Sequence, residues 1–248
     1  MKLELTGQDK RLFDRALAAL NDGEISDAVE LFDELQIANP QCWQGLFYHA
    51  FCSASETTAK YTKIRIIDMS MWLGELDTRS KALSKRAFKT VERIWSSEGS
   101  EEARVAAIKE VIDRIGRWMA EFDEIFRKLS WKFRNNKSWP KTDGQLGDAV
   151  SLVGYELGDA LAEHVDGSQG AFFKEQTILV WQMSCKLNHA HLYNRSVRKT
   201  YVEKVKKLAP DISVGGEISD FFTKLFLKVV GLLVVGFIVY SKVKSMLN

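Results

Sequence analysis

From Glu101 to about Arg134 the apolar residues fall at Val105, Ile108, Ile112, Ile115, Met119, Phe122, Phe126, Leu129 and Phe133. The steps alternate between three and four, which is the period of one helical face and not of a strand. A helix over this stretch is about 51 Å long. No short partner covers such a face, so other helices must lie along it. Val111, Trp118 and Ile125 add a second stripe beside the first. That width suits packing among several helices better than a two-stranded coiled coil. Gly116 is the place where such a helix would bend.

The rest of the chain keeps the helical period. Ile64, Ile66, Ile67, Met69, Met71, Trp72, Leu73 and Leu76 read as a buried, longer helix, and Trp139-Pro140 marks the end of the long one. Leu146, Val150, Val153, Leu157, Leu161 and Val165 form a large apolar stripe, with Gly147, Ser151, Gly154, Gly158 and Ala162 as a stripe of small residues beside it. Each glycine costs a helix about 1 kcal/mol against alanine. The small stripe therefore marks a seam where two helix backbones come close, within the chain or between two copies. Helical signal resumes from about Ala171 to Leu208, breaks near Asn188 to Asn194, and stops at Pro210. The chain has 248 residues, 46% of them hydrophobic and 27% charged. That is a globular composition with enough length for one large core or two modest ones.

At the N-terminus, Thr6 is placed to open a first helix with Asp9 as its capping-box partner. Asn21-Asp22-Gly23 makes a turn, and a second helix from about Glu24 to Ala38 stops at Asn39-Pro40. Leu12 and Ala16, Gly23 at the turn, Ala28 and Phe32, and Pro40 at the end together resemble a tetratricopeptide repeat. Arg15 and Leu35 depart from that pattern. The resemblance implies a helical hairpin that buries its apolar face on a neighbour. Cys42 to Ser55, with Trp43, Leu46, Phe47, Tyr48 and Phe51, reads as a third helix, after which the repeat pattern stops. The phrase from Cys42-Trp43 to Phe47-Tyr48, with Tyr201 to Pro210, is similar to uncharacterised bacterial membrane-associated repeat proteins. Those often carry a zinc ribbon, for which this chain lacks the cysteines.

From Leu225 to Tyr240 the chain has fifteen uncharged residues and one lysine, Lys228. Starting at Phe221, the stretch approaches the ~20 residues that a spanning helix needs. Lys224 and Lys228 lie near one end, where their stems can snorkel, and Lys242 and Lys244 flank the other. Leu225, Phe226, Val229, Leu232, Val235, Ile238 and Tyr240 would face lipid, since apolar residues occupy every side of this helix. The alternative is a C-terminal helix buried in the core of a soluble bundle. Met1 to Lys10 holds no signal-peptide core, so a single pass near the C-terminus with the bulk facing the cytoplasm is expected.

Chemistry is sparse. Cys42, Cys52 and Cys185 form no CxxC pair, which fits free thiols in a reducing compartment. Cys185, His189 and His191, or Cys42, His49 and Cys52, have spacings a metal can use, but neither set carries the four-ligand pattern of a zinc site. Gly167-Ser168-Gln169-Gly170 lacks nucleophile-elbow spacing. Leu-Gly-Asp-Ala occurs at 146–149 and again at 157–160, which puts Asp148 and Asp159 about 16 Å apart on one face. That is too far for an acid–base pair, and both are expected in solvent. No catalytic, cofactor-binding or metal residue is therefore assigned.

Surfaces say more. Residues 1–40 hold four basic and nine acidic side chains. Glu30, Asp33 and Glu34 are the candidate contacts for a basic segment of a protein partner, against the plainer reading of a solvated face. Arg127, Lys128, Lys132, Arg134, Lys137 and Lys141 run without an acid, interleaved with Trp131, Phe133 and Trp139. This is either a charged helix end with its aromatics in the core or a grip for anionic headgroups. A net charge of +2 gives no ground for a nucleic-acid partner. The expected organisation is all-α: a hairpin plus third helix over 1–55, a helical bundle over 56–210, a linker over 211–220, a transmembrane helix over 221–241 and a tail over 242–248. The expected role is a non-enzymatic, membrane-anchored scaffold, with an oligomerising membrane effector as the alternative.

Overall fold

The computed structural model describes residues 3–60, 68–137, 139–191 and 195–214, which form eight helices and no strand. They are α1 (Gly7–Asn21), α2 (Ile25–Ala38), α3 (Trp43–Ala59), α4 (Met69–Trp95), α5 (Glu101–Phe133), α6 (Trp139–Ala162), α7 (Gly170–His191) and α8 (Arg195–Leu208).

Local chemistry explains several boundaries. Ser100 caps α5 in an extended conformation, and its Oγ accepts from the Ala103 N–H at 3.2 Å. Glu101 and Glu102 in the first turn complement the helix dipole. Between α1 and α2, Gly23 has φ +82°, a left-handed turn that glycine adopts without strain. Ala16 and Ala28 are fully buried there, so the two helices approach closely. Phe32 fills the space beside them, stacked on Tyr48 of α3 at 4.9 Å between ring centroids.

The capping box at the start of α1 does not form. The Thr6 side chain makes no cap bond, and the Asp9 carboxylate instead accepts from Asn39 Nδ2 at 2.9 Å, tying α1 to the end of α2. A side-chain amide from thirty residues away has taken the acid that a local cap would have used. Trp139-Pro140 also plays the opposite part to that expected. It opens α6, with proline in the first turn where its missing N–H costs nothing, while α5 has already ended at Phe133.

The bundle is organised by α6, which packs against α4 on one flank and α7 on the other. Chain directions follow from paired contacts. Asn188 of α7 meets Asp148 and Trp181 meets Gly158, so α6 and α7 are antiparallel. Ser130 of α5 meets Asp143 while Glu101 meets Ser168, so α5 runs against α6 as well. Ser70 shares a cleft with Gln145 while Trp95 packs on His164, so α4 runs parallel to α6. The seam of α5 supplies much of the core: Ile108, Ile112, Ile115, Met119, Phe122, Phe126, Leu129 and Phe133 are all buried, as are Val111, Trp118 and Ile125.

Two expectations change along α4 and α8. Met71 is 74% exposed, so the N-terminal turn of α4 is not buried all round. Residues 211–214 are not a free linker. Val214 is fully buried with Tyr155, Ile178, Trp181, Cys185 and Val205, and the Ser213 carbonyl accepts from Gln182 Nε2 at 3.0 Å. Residues 221–241, with the lipid-facing candidates from Leu225 to Tyr240, lie outside the described residues, as do Ile64, Ile66 and Ile67. Among the described residues no helix is long and apolar enough to cross a membrane.

Candidate functional site

The two aspartates of the repeated Leu-Gly-Asp-Ala phrase are half-buried and bonded to other helices, where the sequence suggested free solvation. Eleven residues are close to three helical turns, so both carboxylates leave α6 on the face toward α7 and α8. Asp148 accepts from Asn188 Nδ2 at 2.8 Å. Asp159 accepts from the Tyr201 hydroxyl and from Lys204 Nζ, each at 2.8 Å. Burial pushes the Asp148 carboxyl above its usual range, an effect that Asn188 partly offsets. Tyr155 lies between the two, stacked on Tyr201 at 3.9 Å with its hydroxyl turned to Cys185 Sγ.

Asp148 also lines a cleft of about 520 Å³ between α4, α6, α7 and α8. The facing wall carries Asp77 and Lys81, already paired at 2.6 Å. The cleft can hold a small polar molecule by hydrogen bonds. Its two carboxylates are each engaged, Asp77 by Lys81 and Asp148 by Asn188. Neither Tyr155 nor Asn188 was read as a site residue in the sequence, although the repeated phrase fixes the phase at which Asp148, the partner of Asn188, leaves α6.

The small-residue stripe faces helices of the same chain. A Cβ added at Gly154 would strike Ser184 Oγ and crowd the Met119 sulfur, and one at Gly158 would strike the indole of Trp181. Gly147 and Ser151 are buried as well, and Ala162 is half-buried.

The acidic face lies on α2. Glu30 and Glu34 are exposed. Asp33 is also exposed but has company, since His49 Nε2 lies 3.7 Å from its Oδ1. The other ring nitrogen of His49 is 3.1 Å from Arg86 Nη1, which also donates to Gln36 Oε1 at 2.6 Å. Burial, and then the Arg86 charge, lower the His49 pKa and keep the imidazole neutral.

The thiols are inert by the same reasoning. Cys42 Sγ accepts from the Gly45 N–H at the cap of α3, and burial raises its pKa. Burial pushes Cys52 up to about 12 and also raises Cys185. Among the described residues no group of histidine, cysteine or acidic side chains is arranged to hold a metal. The side chains of His189 and His191 lie outside them.

The basic run divides. Phe133 and Trp139 are buried and pack on one another at 5.4 Å. Trp131 is 70% exposed, with the Arg134 guanidinium 3.9 Å above its ring. The expectation that all three aromatics face the core fails at this residue. Comparison with protein-family models, with curated proteins and with solved structures finds no match for this chain.

Proposed function

We propose that this chain is a non-enzymatic scaffold, tethered to a membrane by residues 221–241 with its helical body on the cytoplasmic side. The observation that carries this is the run from Leu225 to Tyr240, with fifteen uncharged residues, one lysine and further lysines just beyond each end. The arrangement of the body supports it. Titratable groups brought together by the fold join helices to one another, as Asp159 does with α8 and His49 does between Asp33 and Arg86. The exposed carboxylates of α2 then form the face for a basic partner segment. The effector alternative draws on the small-residue stripe, where Gly154 and Gly158 already meet α7.

Truncation after Gly216 tests the tether. The full chain should sediment with membranes and need detergent, while the shortened chain stays soluble with unchanged helicity. A full chain that is soluble without detergent, or a shortened one that unfolds, would assign the tail to the core. The partner face has its own test. Charge reversal at Glu30 and Glu34, leaving Asp33 to His49, should weaken binding of a lysine-rich peptide by on the order of tenfold. Anisotropy that is indifferent to both the reversal and raised salt removes α2 from the account.

A further inference from the structure

The charges of the bundle are segregated by end. At one end the turns α4–α5 and α6–α7 meet, joined by Ser168 and Glu101 at 2.5 Å and by Trp95 on Phe173 at 4.8 Å. That end carries Glu98, Glu102, Glu163 and Asp166, all exposed. At the other end the last turn of α5, the first turns of α4 and α6, and the last turn of α7 come together. Lys132, Arg134, Lys137, Lys141 and Lys186 are exposed there. Three acids on this side are engaged: Asp123 with Arg127 at 2.5 Å, Glu124 with Lys128 at 2.8 Å, and Asp143 accepting from Ser130 at 3.2 Å. The same end shows the two most exposed large apolar side chains of the bundle helices α4 to α8, Trp131 at 70% and Met71 at 74%.

We infer that this basic, tryptophan-bearing end is a docking surface for an anionic lipid leaflet. Tryptophan with flanking lysine and arginine suits the headgroup region, where the indole is half in hydrocarbon and the cations meet phosphate and carboxylate. Arg134 over the Trp131 ring presents both groups at one spot. The opposite, acidic end is repelled by the same leaflet, so the field sets one orientation. The inference rests on the tether reading for its membrane, and the tether reaches. Tyr155, which packs in one cluster with Val214, lies about 24 Å along α6 from Trp139, and the seven steps of chain from Val214 to Phe221 can extend about 24 Å. Lipid is favoured over nucleic acid because the chain carries its own apolar segment and a net charge of only +2.

The test uses the full chain with vesicles of phosphatidylcholine alone or with about one third phosphatidylserine. Flotation is read beside amine labelling of Lys132, Lys137 and Lys141, with Lys174 near the acidic end as internal control. The expected result is flotation with both vesicles, but about threefold slower labelling of the three lysines on the anionic ones alone. The double variant Trp131→Ala, Arg134→Glu should lose that protection and still float. Flotation with both compositions and no difference in labelling would overturn the inference and leave the tether standing. Flotation only with anionic vesicles, with the three lysines protected, would uphold the docking surface and overturn the tether, while flotation on them without that protection, or with neither composition, would overturn both. Protection by a short RNA but not by anionic vesicles would also overturn it.

Discussion

Phe32→Ala is expected to remove about 3–5 kcal/mol from the free energy of unfolding. That is a large part of the roughly 5–15 kcal/mol available to a folded domain. Phe32 is fully buried and touches rings on both sides, Phe13 of α1 at 6.0 Å and Tyr48 of α3 at 4.9 Å. It is the common filler for three helices. The neighbours cannot close over the gap, because Tyr48 is itself held by its hydroxyl on Glu110 of α5. Tyr48 has a strongly raised pKa, from burial first and that bond second, so it stays a neutral donor at any ordinary pH. Ile37→Ala on the same helix is the control. Its side chain is 72% exposed, and its change should stay within about 0.5 kcal/mol. Chemical denaturation followed by circular dichroism measures both. Equal effects from the two would mean that α2 does not pack on α3 as described.

Gly158→Ala should destabilise the chain by about 1–3 kcal/mol even though alanine is the better helix former. The new methyl group meets the indole of Trp181. That indole has nowhere to retreat, being buried with its Nε1–H donated to the Tyr155 carbonyl at 3.3 Å. Gly74→Ala, in the exposed interior of α4, has the opposite sign. Nothing lies within 4 Å of its added Cβ, so only the propensity term of up to about 1 kcal/mol remains, and it stabilises. Thermal melts of the two variants should move in opposite directions. A Gly158→Ala protein that melts higher than the parent would show that α6 and α7 are farther apart than the contact with Trp181 requires.

How much of this was legible depends on whether a residue's partner is fixed by local period. The length of α5 was, because nine seam residues repeat one step pattern and a single helix satisfies all of them. The stop of α8 before Pro210 was legible as well, because proline cannot continue a helix. The capping box at Thr6 was not, because Asn39, thirty residues away, competes for Asp9. Asp148 and Asp159 looked solvated because no cation lies within four residues of either carboxylate. Their partners sit on α7 and α8 and are visible only once those helices are in place. Trp131 could have been placed. It falls two residues from both Leu129 and Phe133, roughly 200° around the helix from each, and so on the face away from the seam. Composition drew attention to its aromatic ring, while its phase already pointed it outward.

Leu3 ties the start of the described chain to a turn that is made much later. Its N–H donates to the Glu98 carbonyl at 3.2 Å, its carbonyl accepts from Trp43 Nε1 and Gln44 Nε2, and its side chain packs on Gly99. During synthesis α1, α2 and α3 are all complete before any of the turn after α4 exists. The segment at Leu3 must therefore wait, half-satisfied by Trp43 and Gln44, until the α4–α5 turn arrives to close it. Closure then fastens the hairpin to the bundle across a long stretch of sequence, so the N-terminal end of the hairpin is secured only after the turn that follows α4 has been made.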